Sequence, residues 1–175
     1  MIIDLKDISE SPQVFEFRLE EDWWVPDGPS DQIRGLSRPL EVSLSIYRAG
    51  GRFVLEGSLS EGVLARCDRC LERYSLDTRS SFKVFLERPP AGAEGEEIEL
   101  KEEDMEVDFI RGEELDLDEI IREQIYLSLP MKSLCSEDCR GLCPGCGCNL
   151  NVERCRCRVR QGHPAFQKLK ELNIY

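Results

Sequence analysis

Polar and apolar residues alternate through much of the N-terminal half of the chain. Ile2, Ile3 and Leu5 read as a short edge strand. Phe15, Phe17 and Leu19 fall on one side and Glu16, Arg18 and Glu20 on the other, the period of two of a half-buried strand. Trp23 and Trp24 follow, and a lid over the core is a commoner role for such a pair than an open stacking surface. Residues 26–39 are rich in Gly, Pro, Ser and Asp and read as a long loop. A meander is expected next. Val42, Leu44 and Ile46 alternate with Glu41, Ser43 and Ser45, and Ala49-Gly50-Gly51 turns the chain. Phe53, Leu55, Gly57 and Leu59 alternate on the return. Ser60-Glu61-Gly62 reads as another turn, with Val63, Ala65 and Cys67 on one face of a third strand. Tyr74, Leu76, Thr78, Ser80, Phe82, Val84 and Leu86 occupy the even positions of a long strand. That strand pairs back, so Cys67 and Cys70 sit at the tip of a β-hairpin.

Beyond Pro89-Pro90-Ala91-Gly92 the pattern changes. Residues 94–119 carry 14 acidic side chains and two basic ones, which reads as a solvated acidic segment, with one short strand around Val107 and Phe109. Asp116 then caps a helix expected over 116–129, with Glu119 placed for a capping box. Leu117, Ile120, Ile121 and Ile125 form its packing face, and Pro130 ends it. A closing helix is expected over 164–172, with Phe166, Leu169 and Leu172 on one stripe. The expected fold class is α+β: a mostly antiparallel, meandering sheet, one packed helix and a cysteine-rich C-terminal extension. The expected division is a β-rich core domain over 1–130 and a cysteine-rich extension over 131–175.

Composition narrows the function. With 175 residues the chain is long enough for a real core. No apolar run approaches the roughly 20 residues of a membrane helix. The opening MIIDLKDISE lacks the pattern of a secretory leader. A cytoplasmic protein with no membrane partner and no small-molecule substrate is expected. The net charge of −12 argues against a surface given over to nucleic acid. The charge is uneven, however: residues 131–175 hold eight Lys and Arg against four Asp and Glu, leaving 15 basic and 31 acidic residues before them. Arg154, Arg156, Arg158, Arg160, Lys168 and Lys170 form a candidate RNA contact. The four arginines among them serve at least as well to offset the charge of nearby cysteine thiolates.

The strongest chemical signal is sulfur. Seven of nine cysteines lie in CSEDCRGLCPGCGCNLNVERCRC, residues 135–157. In a reducing compartment such clusters are metal ligands more often than disulfides, and thiolates are soft ligands suited to zinc. Cys143 and Cys146 flank a tight Pro-Gly turn whose N–H groups can donate to the sulfurs, and Cys155-Arg156-Cys157 can close the set. A second set needs Cys135 and Cys139 together with Cys67 and Cys70, stapling the hairpin tip to the segment after the helix. Two structural zinc ions would then be held by eight thiolates, with Cys148 spare. Other pairings stay open, since Cys139-x3-Cys143 and Cys146-x-Cys148 are also workable, and Cys67 and Cys70 read alternatively as small buried thiols.

RCDRCLE at 66–72, LSLP at 127–130 and the cysteine run at 135–157 resemble the YceD family over roughly residues 40–157. The resemblance implies bacterial and plastid relatives that support accumulation of large-subunit ribosomal RNA. It implies a role in the synthesis, processing or stability of 23S rRNA during large-subunit assembly, and zinc sites that rigidify rather than react make a non-enzymatic factor the first reading. Its partner would be the rRNA precursor, contacted directly, or a basic ribosomal protein docked on the acidic segment. The cysteines at 67, 70, 135, 139, 143, 146, 155 and 157 match the family's pattern, while Cys148 is a departure from it.

Two other function classes compete. Cys135-Ser136-Glu137 followed by Cys143-Pro144-Gly145-Cys146 faintly resembles the zinc deaminase pattern. The match fails because the proline lies inside the pair and the two halves are only a few residues apart; the single histidine, His163, lies outside the clusters. A catalytic zinc also keeps an open position, whereas eight thiolates close both sites. An iron–sulfur or redox protein is the third reading. Neither CxxC is flanked by a thioredoxin-like unit, and the colour of the preparation separates iron from zinc.

Overall fold

The computed structural model describes residues 1–28, 31–89, 107–110 and 112–157. The chain divides into two compact units. Unit 1 is Met1–Ala65 with Ser75–Met131, and unit 2 is Arg66–Tyr74 with the chain from Lys132 onward.

Unit 1 holds a five-stranded sheet in the order β2-β3-β4-β5-β6. Its strands are β2 (Gln13–Leu19), β3 (Ile33–Ala49), β4 (Arg52–Arg66), β5 (Arg73–Glu87) and β6 (Val107–Phe109). Two short strands, β1 (Ile2–Asp4) and β7 (Glu114–Asp116), pair antiparallel beside it. The register explains the alternation in the sequence. Phe15 lies opposite Leu44, and Phe17 opposite Val42. Ile46 in turn lies opposite Leu55, and Val42 opposite Leu59. One face of the sheet therefore collects the apolar residues, and Leu40, Leu44, Ile46 and Leu55 are fully buried.

Gly50 and Gly51 close the β3–β4 hairpin with φ of +57° and +90°, the left-handed values that a two-residue turn between twisted strands requires. Glu61 lies beside Thr78 and Gly62 beside Asp77, so β5 runs antiparallel to β4. The exception to the antiparallel meander is β6, which pairs parallel to β5.

The single α-helix among the described residues, α1, spans Leu117–Ser128 and starts where the sequence places it. The Asp116 carboxylate accepts from the Asp118 N–H at 2.9 Å, capping the first turn. Leu117, Ile121 and Ile125, spaced by four, are fully buried. Ser128 Oγ donates to Glu61 Oε1 at 3.1 Å, which sets the helix's end against the apolar face of β4. Trp24 is buried, lies 5.4 Å from the Tyr126 ring and sits under the Arg122 guanidinium.

Two local expectations are corrected. Residues 26–39 are not loop throughout, because β3 already begins at Ile33. Its first part is irregular, with register shifts between Ile33, Leu36, Arg38 and Glu41. Bulges of this kind admit Pro39, which has no N–H for the ladder. Ser60-Glu61-Gly62 is not a turn, because β4 runs through it unbroken. Gly62 is demanded by crowding: a Cβ there would lie 2.6 Å from Ser37 Oγ and 2.8 Å from Arg38 Cγ. Glu61 points into the core, where Thr78 Oγ1 donates to it at 2.6 Å.

Part of the acidic segment, residues 94–106, and the expected helix over 164–172 lie outside the described residues.

Candidate metal centres

Unit 2 is built from two copies of one turn. In the first, Leu71 N–H donates to Cys67 O at 2.9 Å and Cys67 N–H to Glu72 O at 2.9 Å. In the second, Gly147 N–H donates to Cys143 O at 2.8 Å and Cys143 N–H to Cys148 O at 2.8 Å. The residue after the second cysteine is left-handed in both, Gly147 at φ +76° and Leu71 at φ +62°. Glycine suits that conformation, whereas leucine adopts it at a cost. Each turn aims peptide N–H groups at its own sulfurs, and Gly145 N–H reaches Cys143 Sγ at 3.3 Å. Cys148 now has a backbone task. It stands where Glu72 stands in the first turn, and its carbonyl closes the second.

The two turns gather the remaining cysteines into two sets of four sulfurs. Cys67, Cys70, Cys135 and Cys139 form the first, and Cys143, Cys146, Cys155 and Cys157 the second, with all sulfurs in a set within 4.8 Å of one another. Cys148 belongs to neither. Between Cys67 and Cys139, between Cys70 and Cys135, and between Cys146 and Cys155 the separation is 3.7 Å, and between Cys143 and Cys155 it is 3.2 Å. A sulfur tetrahedron with bonds of about 2.3 Å has edges of about 3.8 Å, whereas a disulfide needs about 2.05 Å. All nine cysteines are free. The spacing therefore fits two tetrathiolate metal sites.

The first set is the more buried, with Cys67, Cys70 and Cys139 inside and Cys135 exposed. In the second only Cys143 is buried. The residues between Cys67 and Cys70 fasten the first set. Ser133 N–H donates to the Asp68 carboxylate at 2.7 Å, and Asp68 N–H donates to Ser133 O at 2.8 Å. The Arg69 guanidinium donates to Cys139 O at 2.9 Å and to Glu137 O at 3.2 Å.

Proton affinities within each set diverge, as closely spaced thiols require. Burial pushes the Cys67 thiol up, but N–H groups of Cys135, Cys70 and Arg69 outweigh it and bring it down to about 6. Burial and neighbouring thiols push Cys135 up to about 12. The N–H groups of Gly145 and Cys146 bring Cys143 down to about 6. A hydrogen bond with Cys146, then one with Cys155, pushes Cys157 up to about 12. Each set thus favours a mixture of thiolate and thiol, and a central divalent cation is what would let all four sulfurs ionise together.

Of the candidate RNA contacts, Arg154 and Arg156 are exposed on either side of Cys155. Arg158, Arg160, Lys168 and Lys170 lie outside the described residues, as does His163. The sequence reading did not single out Asn151, whose amide donates to Cys139 Sγ at 3.3 Å. The only available signal was its place in the NLNVER connection.

No described helix is long and apolar enough to cross a membrane. No solved structure matches the chain. Among curated proteins it is similar to "Large ribosomal RNA subunit accumulation protein YCED homolog 1, chloroplastic" of Zea mays, at 28% identity over 145 residues, 70% of this chain and 50% of that protein. The Arabidopsis thaliana protein of the same name is 26% identical over 156 residues, 77% of this chain and 48% of its own. An uncharacterized protein of Mycobacterium tuberculosis is 31% identical over 133 residues, 76% of this chain and 61% of that protein. The chain thus spans about half the length of the plant relatives. The family model described as "Large ribosomal RNA subunit accumulation protein YceD" matches residues 55–173, most of the sequence and the whole of both cysteine sets, and the chain belongs to that family.

Proposed function

We propose that this protein is a non-enzymatic factor that supports synthesis, processing or stability of 23S rRNA during large-subunit assembly. Two structural zinc ions, held by Cys67, Cys70, Cys135 and Cys139 and by Cys143, Cys146, Cys155 and Cys157, give unit 2 its shape. The observation that carries the metal half is the pair of four-sulfur sets at tetrahedral spacing. The ribosomal half rests on the family's description and on the plant relatives' names. Four sulfurs per ion leave no position for water or substrate, which favours a scaffold over a zinc enzyme.

Charge favours a protein partner over direct contact with RNA. By sequence, unit 1 holds 12 basic and 29 acidic residues, and unit 2 holds 11 basic and six acidic. Two zinc tetrathiolates each carry −2, which removes most of the +5 of unit 2. The acidic unit 1 suits docking on a basic ribosomal protein in the cytoplasm, where the ribosome is assembled. Direct contact through Arg154, Arg156, Arg158, Arg160, Lys168 and Lys170 is the second route. It would weaken steeply as salt rises.

Elemental analysis of protein purified from cells, coupled to identification of what co-purifies, tests both halves. Two zinc ions per chain and large-subunit ribosomal proteins are expected. Iron, or no metal, would overturn the metal half. Absence of both ribosomal protein and rRNA precursor would overturn the ribosomal half.

A further inference from the structure

Asn151 lies in the six-residue connection 149–154, which joins the second turn to Cys155. That connection is tightly wound. Asn151 N–H donates to Asn149 Oδ1 at 3.0 Å, and the N–H groups of Val152 and Glu153 donate to Asn149 O at 3.2 and 2.8 Å. It is flanked on both sides by parts of the second site: Cys148, just before it, closes that site's turn through its carbonyl, and Cys155, just after it, supplies a sulfur. The Asn151 side chain, however, serves the first set. Its Oδ1 accepts from the Arg140 N–H at 2.7 Å, and its Nδ2 donates to Cys139 Sγ at 3.3 Å. A peptide N–H can only donate, so the Arg140 bond fixes which end of the amide faces Arg140 and turns the NH2 toward the sulfur.

We propose that Asn151 is a positioning residue that couples the two metal sites, so that filling the second set strengthens metal binding by the first. The inference rests on the metal reading above. A hydrogen bond donated to a ligating sulfur orients it, and such outer partners are worth about 10–100-fold in metal affinity. The donor reaches Cys139 only while its connection is wound. A cation gripping Cys143, Cys146, Cys155 and Cys157 ties both ends of that connection. Without it the winding costs conformational entropy, and the donor is lost part of the time. Linkage makes the effect reciprocal: metal in the first set must favour metal in the second by the same factor.

The test uses the full chain loaded with cadmium. Cadmium NMR gives one resonance per site, assigned by the signal that Cys155→Ala/Cys157→Ala removes, and a competing chelator then measures retention at the first site. Asn151→Ala should weaken that site about 10–100-fold. Asn151→Asp should weaken it at least as much, because it keeps an acceptor for Arg140 but has no donor for sulfur. Removing the second site with Cys155→Ala/Cys157→Ala should also weaken the first, and adding Asn151→Ala should cost little more. Wild-type retention in Asn151→Asp would overturn the proposal, as would losses that simply multiply in the combined variant. A wild-type chain that binds fewer than two ions would overturn it together with the metal reading.

Discussion

Unit 1 buries hydrocarbon. Ile33, Leu40, Leu44, Ile46, Leu55, Leu59, Leu117, Ile121 and Ile125 are all shielded from solvent there. Among the described residues of unit 2, the buried apolar side chains are Cys67, Cys70, Cys139 and Cys143, and no aliphatic or aromatic side chain is fully buried with them. Leu71 and Val152 are exposed, and Tyr74 and Leu134 only partly covered. Burial of a large side chain contributes about 1.5–3 kcal/mol, so unit 1 can stand on its contacts. Unit 2 has almost none of that and needs another source of order. A structural zinc site supplies about 10–16 kcal/mol, enough to fold a segment that would not fold unaided.

The largest effect that would break this contrast comes from removing metal. A strong chelator should unfold unit 2 and leave unit 1 standing. Hydrogen exchange should speed up at the amides of Leu142, Gly147 and Leu150, with β3 and β4 still protected. Equal loss in both units, or in neither, would contradict the contrast. The reverse experiment is Ile121→Ala. It should destabilise unit 1 by about 3 kcal/mol in thermal unfolding and leave the metal content unchanged.

A finer comparison lies inside unit 2, between its two turns. Leu71 holds a left-handed φ that Gly147 holds without strain. Leu71→Gly should therefore stabilise the first turn by about 1 kcal/mol, and Gly147→Ala should destabilise the second by about the same. Zinc retention under chelator checks both signs. The smallest effect is in unit 1. Burial, then the bond from Tyr126 OH to the Asp31 carboxylate at 2.9 Å, pushes that phenol up to about 12. A raised value means the folded state favours the neutral phenol. The stabilisation is thus complete below the ordinary tyrosine value of 10 and lost as pH rises through about 12. An alkaline absorbance titration should show a late-titrating phenol that disappears in Tyr126→Phe.

The same contrast explains what could be read from sequence. The alternation at Phe15, Phe17 and Leu19 and at Val42, Leu44 and Ile46 reports a face buried along whole strands, and it survives in the fold as expected. The cysteine spacing likewise pointed to the two sets that the structure brings together. What failed was local. Ser60-Glu61-Gly62 has the composition of a turn, but its glycine answers crowding from Ser37 and Arg38, which are distant in sequence. Ile33 and Leu36 read as loop because the glycine and prolines around them mark bulges as readily as coil. The parallel pairing of β6 depends on a neighbour chosen in three dimensions. Asn151 was invisible for a related reason: its partner sulfur belongs to the set that its own connection does not close.

The central claim, that sulfur-bound metal rather than buried hydrocarbon shapes unit 2, is tested most directly by X-ray absorption on the purified protein together with its metal count. The account predicts two zinc ions per chain, each surrounded by sulfur alone at about 2.3 Å. Oxygen or nitrogen neighbours, fewer than two ions, or a metal-free chain whose Leu142 and Leu150 amides remain protected would contradict it.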